Sequence, residues 1–380
     1  MRLLINTSTL SASGVTQVST SFIYECIKFP QHDYFVFLSN TVREQLKTED
    51  FPNNFHFYAI PNHPLYGIKG YKSRQLIKKI VKQIKPDVIF SVFGPSWWTP
   101  KVPHLQGYAY PYYVYPESPV FNKLSALQKI KISIFKKLHL HFLKKNGHYY
   151  VSETHDVSER FEKLINNPKK KYFTVSNTAN NFFFDFKKDK HAQKTSGLLA
   201  EKKDNEFRFL SLCTYHIHKN LDILNEVIPL LNKELKDIKV KFVLTLKDEE
   251  IEKYFTAEAK ASIINIGRVP VKDCPQLYYE TDALFLPTLL ECFSANYPEA
   301  MVMERPILTS NLSFATGVCG EAALYFNPVS AVDIVSKIKD LVMNKDLRKE
   351  LIEKGKLKIR DFDDSYTRAK KYLDICESII

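Results

Sequence analysis

The chain of 380 residues contains no apolar run near the about 20 residues that a membrane-crossing helix needs. Residues 1–7 read as one short strand, too brief for the apolar region of a secretory leader. Six cysteines (Cys26, Cys213, Cys274, Cys292, Cys319, Cys376) are scattered without a CxxC spacing. This argues against a disulfide frame or a zinc site and fits buried thiols in a reducing cytoplasm. No zinc-finger, RRM or helix-turn-helix pattern is visible, so nucleic acid is not an expected partner. No acidic cluster resembles a Mg²⁺ site, so no metal is expected. Between residues 118 and 152 there is not one acidic residue.

What is present is the balance of a globular protein, 44% hydrophobic and 25% charged. The length favours two domains over one core. A net charge of +12 implies an anionic partner, with an acidic membrane surface and a phosphate-bearing substrate both fitting better than nucleic acid.

Residues 1–180 alternate apolar runs with helical patterns. The runs begin with Arg2-Leu3-Leu4-Ile5, Tyr34-Phe35-Val36-Phe37-Leu38 and Asp87-Val88-Ile89-Phe90-Ser91. A second series starts at Phe207 and recurs at Val240, Ile263, Ala283 and Ile307. Strands alternating with helices predict α/β architecture with parallel, doubly wound sheets. Residues 185–205 are charged and poor in aromatics, as in a surface linker.

The second series is organised around residues 281–311. An apolar run stops at Pro287, a loop carries Glu291, Asn296-Tyr297-Pro298-Glu299 opens a helix that ends near Arg305, and Ile307 starts the next run. In a parallel sheet that loop lies beyond the carboxyl ends of the strands, where ligands bind. Glu291 and Glu299 would then face one crevice. Asn296 as N-cap with Glu299 three residues on is also a capping-box pattern that suits any helix.

This stretch resembles the donor-site signature of retaining glycosyltransferases of the GT-B type (group 1, or family 4), a glutamate, seven residues and a second glutamate. The likeness continues through Arg305-Pro306-Ile307, Gly320-Glu321-Ala322-Ala323-Leu324-Tyr325-Phe326-Asn327-Pro328, Ile266-Gly267-Arg268-Val269 and His218-Lys219-Asn220. Five ordered matches over roughly 110 residues are far more specific than one carboxylate pair. The resemblance implies a GT-B fold of two Rossmann-like domains facing a cleft. An acceptor-binding domain would span 1–180, and a nucleotide-sugar-binding domain 205–362. A last helix over 363–380 would cross back to the first domain.

The same resemblance assigns residues. Lys219 would steady the leaving diphosphate as a point charge. Glu291 would lie near the donor sugar and act with Lys219 in catalysis. Glu299 would take the ribose hydroxyls, and Cys292, Phe293, Ser294 and Ala295 would line the donor between them. Cys292 and Ser294 stand where the family has glycines. The family's phosphate-binding arginine falls on Thr214, with His216, His218 and Arg268 as candidate replacements. Its catalytic histidine falls near Ala109, and His104 comes too early for it. On the acceptor side the candidates are Ser13, Gly14, Tyr108 and Tyr110, with Trp97 and Trp98 on the same rim. The nucleotide-sugar is then a substrate, the acceptor a glycan or lipid-linked glycan, and no cofactor is expected.

A basic helix is expected from Lys123 to Lys145, with Leu127, Ile130, Ile134, Phe135, Leu138 and Phe142 on one face and Lys129, Lys136, Lys137 and Lys144 on another. It packs either on the sheet or on anionic lipid, which would make a cytoplasmic protein peripheral to the membrane. The function expected is glycosyl transfer in surface polysaccharide or lipopolysaccharide synthesis. The alternatives are a non-catalytic nucleotide-sugar-binding subunit and a sugar-nucleotide epimerase on the same fold.

Overall fold

The computed structural model describes residues 1–11, 13–189 and 197–380. Contacts divide the chain into two units: Met1–Val114 with Ser125–Asn177 and Asp363–Ile380, and Tyr115–Leu124 with Thr178–Phe362.

The first unit is built on seven parallel strands: β1 (Arg2–Asn6), β2 (Asp33–Leu38), β3 (Phe55–Ala59), β4 (Val88–Ser91), β5 (His104–Gly107), β6 (Tyr149–Ser152) and β7 (Lys171–Thr174). Their order is β3-β2-β1-β4-β5-β6-β7. Leu3, Leu4, Ile5, Val88, Ile89 and Phe90 are all fully buried, because helices cover the sheet on both faces and leave no solvent side to alternate with. The crossovers include α1 (Ser13–Glu25), α2 (Gly67–Ile84), α3 (Ala126–Asn146) and α4 (His155–Ile165).

Thr154 caps α4, its hydroxyl accepting from the Val157 amide, and Asp156 pairs with Arg160 at 2.8 Å. The basic helix is shorter than the sequence reading expects. Val120–Lys123 forms one separate turn, and Lys123 pairs with Asp222 at 2.8 Å. Ser125 and Gln128 then make a reciprocal capping box that starts α3. Its six apolar residues do not share a face. Phe135 and Phe142 turn inward beside His139 and Trp97, whereas Leu127, Ile130 and Ile134 face solvent. Those six positions span too much of the circumference for one contact, and the aromatic side at i, i+4, i+7 wins.

The second unit has six parallel strands: β8 (Glu206–Ser211), β9 (Lys239–Leu244), β10 (Ile263–Asn265), β11 (Ala283–Leu286), β12 (Ile307–Ser310) and β13 (Ala323–Phe326). Their order is β10-β9-β8-β11-β12-β13. Stacked rings of Phe209 on Phe242 and Phe285 on Phe326 fill its core at centroid distances of 5.6 and 5.5 Å. Among its helices are α5 (Leu224–Glu234), α6 (Cys274–Tyr279) and α7 (Asn296–Val302). Part of the expected linker is helix, Asn181–Lys188, and residues 190–196 of it lie outside the described residues.

The helix α8 (Ser365–Ser378) completes the first unit. Tyr372 packs against Phe90 and Phe22 at 5.0 and 5.4 Å, and the buried Arg368 guanidinium donates to Asn177 Oδ1 and, at 2.9 Å, to Ser21 Oγ. No helix among the described residues is long and apolar enough to cross a membrane.

Candidate functional site

β8 and β11 are neighbours and run parallel, so the loops that follow them leave the sheet side by side. After β8 the chain makes a tight turn over Ile217–Lys219, closed by a 2.8 Å bond from the Lys219 amide to the His216 carbonyl. Asn220 ends the turn in the left-handed region, at φ 56°, and its side-chain amide donates to the Pro328 carbonyl at 2.8 Å. A small polar side chain tolerates that conformation where a branched one would not.

The loop after β11 is laced to this turn through a single carbonyl. His218 O accepts from the Leu289 amide at 2.7 Å and from Thr288 Oγ1 at 3.0 Å. The lacing brings Lys219 to Glu291, and Lys219 Nζ donates to Glu291 Oε1. The two side chains are only 16% and 14% exposed, so the bond is charge-assisted and poorly screened. Burial works against the lysine's charge, but Glu291 and the nearby Cys213 outweigh it and hold the ammonium above the usual lysine range.

The histidines beside it behave oppositely. Burial first, then Lys219 and His216, push His218 down to about 3, and burial and Lys219 also lower His216. His218 is therefore neutral near pH 7 and adds no cation where the sequence reading considered it for the absent arginine. Arg268 is exposed on the loop after β10.

Glu299 lies in the first turn of α7, but not as a capping residue. Ala295 precedes the helix and no side chain caps it. Asn296 is used elsewhere, its amide donating to the Leu212 carbonyl at 2.9 Å and tying α7 to the loop after β8. The helix ends at Val302 rather than near Arg305, because Glu304 turns left-handed at φ 55°. Glu299 Oε2 accepts a 3.0 Å bond from Tyr278 OH on α6. Burial pushes its carboxyl up to about 7, with the Tyr278 bond acting weakly the other way. Between the two glutamates, Cys292 and Ser294 are buried and Phe293 and Ala295 half-buried, and Ser294 Oγ reaches Asn296 Oδ1 at 3.4 Å.

The structure thus joins Lys219 and Glu291 directly and gives Glu299 a partner of its own. Tyr278 and the His218 carbonyl were missed in the sequence, and Asn296, expected as the N-cap, holds the loop after β8 instead. Tyr278 sits in a short apolar helix, and nothing in its own spacing marks it.

The acceptor-side candidates fare differently. Gly14, second residue of α1, is exposed with open space about it, and the Ser13 side chain lies outside the described residues. Tyr108 is buried, its ring stacked on Phe161 at 3.8 Å and its hydroxyl donating to Tyr110 O at 2.8 Å. Tyr110 is half-buried and stacks on Tyr113 at 5.4 Å. Trp97 and Trp98 are buried too, which corrects the rim expected of them. A loop leaving a strand end turns large rings inward when the neighbouring helix, here α3, supplies rings to pack on. His104 is a core residue: Nδ1 faces the Asn146 carbonyl at 2.8 Å, so Nε2 accepts from Ser91 Oγ at 2.9 Å, and burial pushes it down to about 3.

Residues 199–358 match the family described as glycosyl transferases group 1. The match covers less than half of the chain. Lys219, Glu291 and Glu299 all fall within the group 1 segment. Compared with curated proteins, the sequence matches none.

Solved structures extend the likeness over both units. A glycosyltransferase from Rickettsia africae ESF-5 aligns over 100% of this chain and 98% of its own, at TM-score 0.70 and 15% identity. Anabaena Alr3699/HepE, solved with UDP and glucose, aligns over 100% of both chains at TM-score 0.68 and 13% identity. WaaG, a glycosyltransferase involved in lipopolysaccharide biosynthesis, aligns over 98% of this chain and 99% of its own, at TM-score 0.70 and 15% identity. The fold around the group 1 segment is GT-B, two Rossmann-like units with parallel sheets.

Proposed function

We propose that the chain is a retaining glycosyltransferase that moves a sugar from a nucleotide-sugar to a glycan or lipid-linked glycan, in surface polysaccharide or lipopolysaccharide synthesis. The observation that carries this reading is the meeting of Lys219 and Glu291 at the carboxyl ends of β8 and β11, inside the group 1 segment.

In this reading Lys219 takes the charge that develops on the leaving diphosphate, and its raised pKa keeps it cationic throughout the working range. Glu291, one of its carboxylate oxygens on Lys219, leaves the other toward the donor sugar as the anomeric carbon gains oxocarbenium character. Glu299 accepts from the ribose hydroxyls when ionised, and Tyr278 fixes its orientation. Charge neutralisation by lysine makes the transfer independent of metal. The related folds solved with UDP and glucose, and in lipopolysaccharide biosynthesis, support a nucleotide-sugar donor and a cell-surface acceptor. The place of work is the cytoplasmic side of the membrane.

Incubation with UDP-, GDP- and dTDP-sugars tests this. Release of free sugar or glycoside with the donor's anomeric configuration, unchanged by EDTA, is the expected result. Tight nucleotide binding without turnover would make the chain a binding subunit, the reading favoured by Thr214 and Ala109 at positions where the family has arginine and histidine. An epimerised donor would make it an epimerase. Either outcome overturns the transferase.

A further inference from the structure

One short stretch folds with the unit that it does not border in the chain. Residues 115–124 lie between Val114 and Ser125, both of the first unit, yet belong by their contacts to the second. Tyr115, Ser118, Val120 and Leu124 of this stretch are buried. Pro116 and Pro119 flank Glu117-Ser118 and narrow the conformations open to it.

The stretch is held at three places, and their order follows the sheet. The Tyr115 ring meets Phe314 edge-on at 6.2 Å, on the helix Ser313–Cys319 that follows β12. Ser118 Oγ donates to the Leu289 carbonyl at 2.7 Å, on the loop that follows β11. Lys123 Nζ reaches Asp222 Oδ2 at 2.8 Å, just past Lys219 on the connection that follows β8. The turn Val120–Lys123 also packs against Ile217–Lys219. Since β12, β11 and β8 are successive neighbours, the stretch runs across the carboxyl edge of the second sheet as a strap.

The middle hold comes nearest to the site. The Leu289 amide is one of the two donors on His218 O, and Ser118 fixes the next peptide group, between Leu289 and Leu290, immediately before Glu291. Ser118 Oγ also accepts from the Val120 amide at 3.2 Å, so the hydroxyl is used as donor and acceptor and its orientation is set. Packing alone would be served by Tyr115, Val120 and Leu124, whereas the bond to Leu289 constrains the backbone that carries Glu291.

We propose that residues 115–124 are a strap, supplied by the first half of the chain, that clamps the Lys219 turn to the Glu291 loop, with Ser118 as a positioning residue for the Lys219–Glu291 pair. Ser118 acts through Leu289 and touches no reacting atom. What the pair does rests on the transferase reading above; that the strap holds it in place does not.

The test reads the full chain by amide hydrogen exchange without ligand and by transfer kinetics. Ser118→Ala removes one hydroxyl. It should speed exchange about tenfold in both 217–220 and 287–291, and lower kcat about tenfold with the KM for nucleotide-sugar within about threefold of the wild type's. Lys123→Ala should speed exchange about twofold in 217–223, since that ion pair is partly exposed. Faster exchange in a chain whose wild type transfers no sugar would uphold the strap and remove the transferase reading. Unchanged exchange in 287–291 after Ser118→Ala, with or without a lower melting temperature, would make Ser118 a packing residue and overturn the proposal. Faster exchange with an unchanged kcat in an active enzyme would overturn the positioning role. Unchanged exchange in 217–223 after Lys123→Ala would overturn the clamp on the β8 side.

Discussion

The two units carry the same kind of sheet and distribute their charges differently. In the second, cations sit on carboxylates: Lys219 on Glu291, Lys187 and Lys356 on Glu304, Lys202 on Asp282 and Lys354 on Glu350. In the first, residues 51–114 and 125–152, which carry the lysines of α2 and α3, contain a single acidic residue, Asp87. On the proposed reading, the Lys219–Glu291 pair of the second unit serves a small phosphorylated ligand. The family match stays within the half with the first arrangement. A diphosphate and a ribose pose one chemical problem, so their site reads as a motif, whereas an acceptor or a surface can be met by many patterns.

Perturbing each half separately shows how far the comparison holds. The largest expected effect is structural. Phe285 stacks on Phe326 at 5.5 Å and meets Phe209 and Phe242 edge-on, so Phe285→Ala should cost the second unit about 3–5 kcal/mol. Differential scanning calorimetry should show that unit's transition falling while the first unit's holds. If both fall together, the units are one cooperative block.

Next comes chemistry. Lys219→Ala and Glu299→Ala should each lower turnover at least about 100-fold, the scale for removing a charge-stabilising group, with melting temperatures near the wild type's.

A smaller effect is expected from pH. A carboxyl raised to about 7 accepts from both ribose hydroxyls only when ionised, so nucleotide affinity should rise up to about tenfold per pH unit between pH 6 and 7 and level off above. Glu299→Gln should flatten that profile in calorimetric titration. The stability sign is the reverse. Between its usual value of 4.5 and about 7 the folded protein holds a proton the unfolded chain has released, so stability falls as pH rises through that window. Glu299→Gln should remove this slope, worth no more than about 3 kcal/mol.

The smallest effect is local. Asn220→Gly keeps the left-handed turn but loses the bond to Pro328, and should cost about 1 kcal/mol in urea titration. Asn220→Ala loses both and should cost somewhat more.

Much of the fold was legible because its strands are buried on both faces and read as unbroken apolar runs, such as Leu3 to Ile5 and Ala283 to Leu286. Lys219 and Glu291 could be named because their stretch resembles a family signature, and each lies on the loop that follows a strand, β8 or β11. Contacts made across elements left no such trace. Asn296 resembled a helix cap and instead bonds to Leu212, and Tyr278 met Glu299 from another helix. Trp97 and Trp98 were expected on a rim, yet packing with Phe142 and Phe37 took them inward. Leu127, Ile130 and Ile134 had the periodicity of a buried face, and only the position of the aromatic base showed them to be outside it.

The return of α8 to the first unit has a temporal meaning. Phe22, Phe90 and Asn177 wait for Tyr372 and Arg368, which the ribosome reaches only after the whole of Thr178–Phe362. At about 5–20 residues per second that interval is roughly 10–40 s, during which an apolar groove on the nascent first unit stays open to chaperones and to other nascent chains.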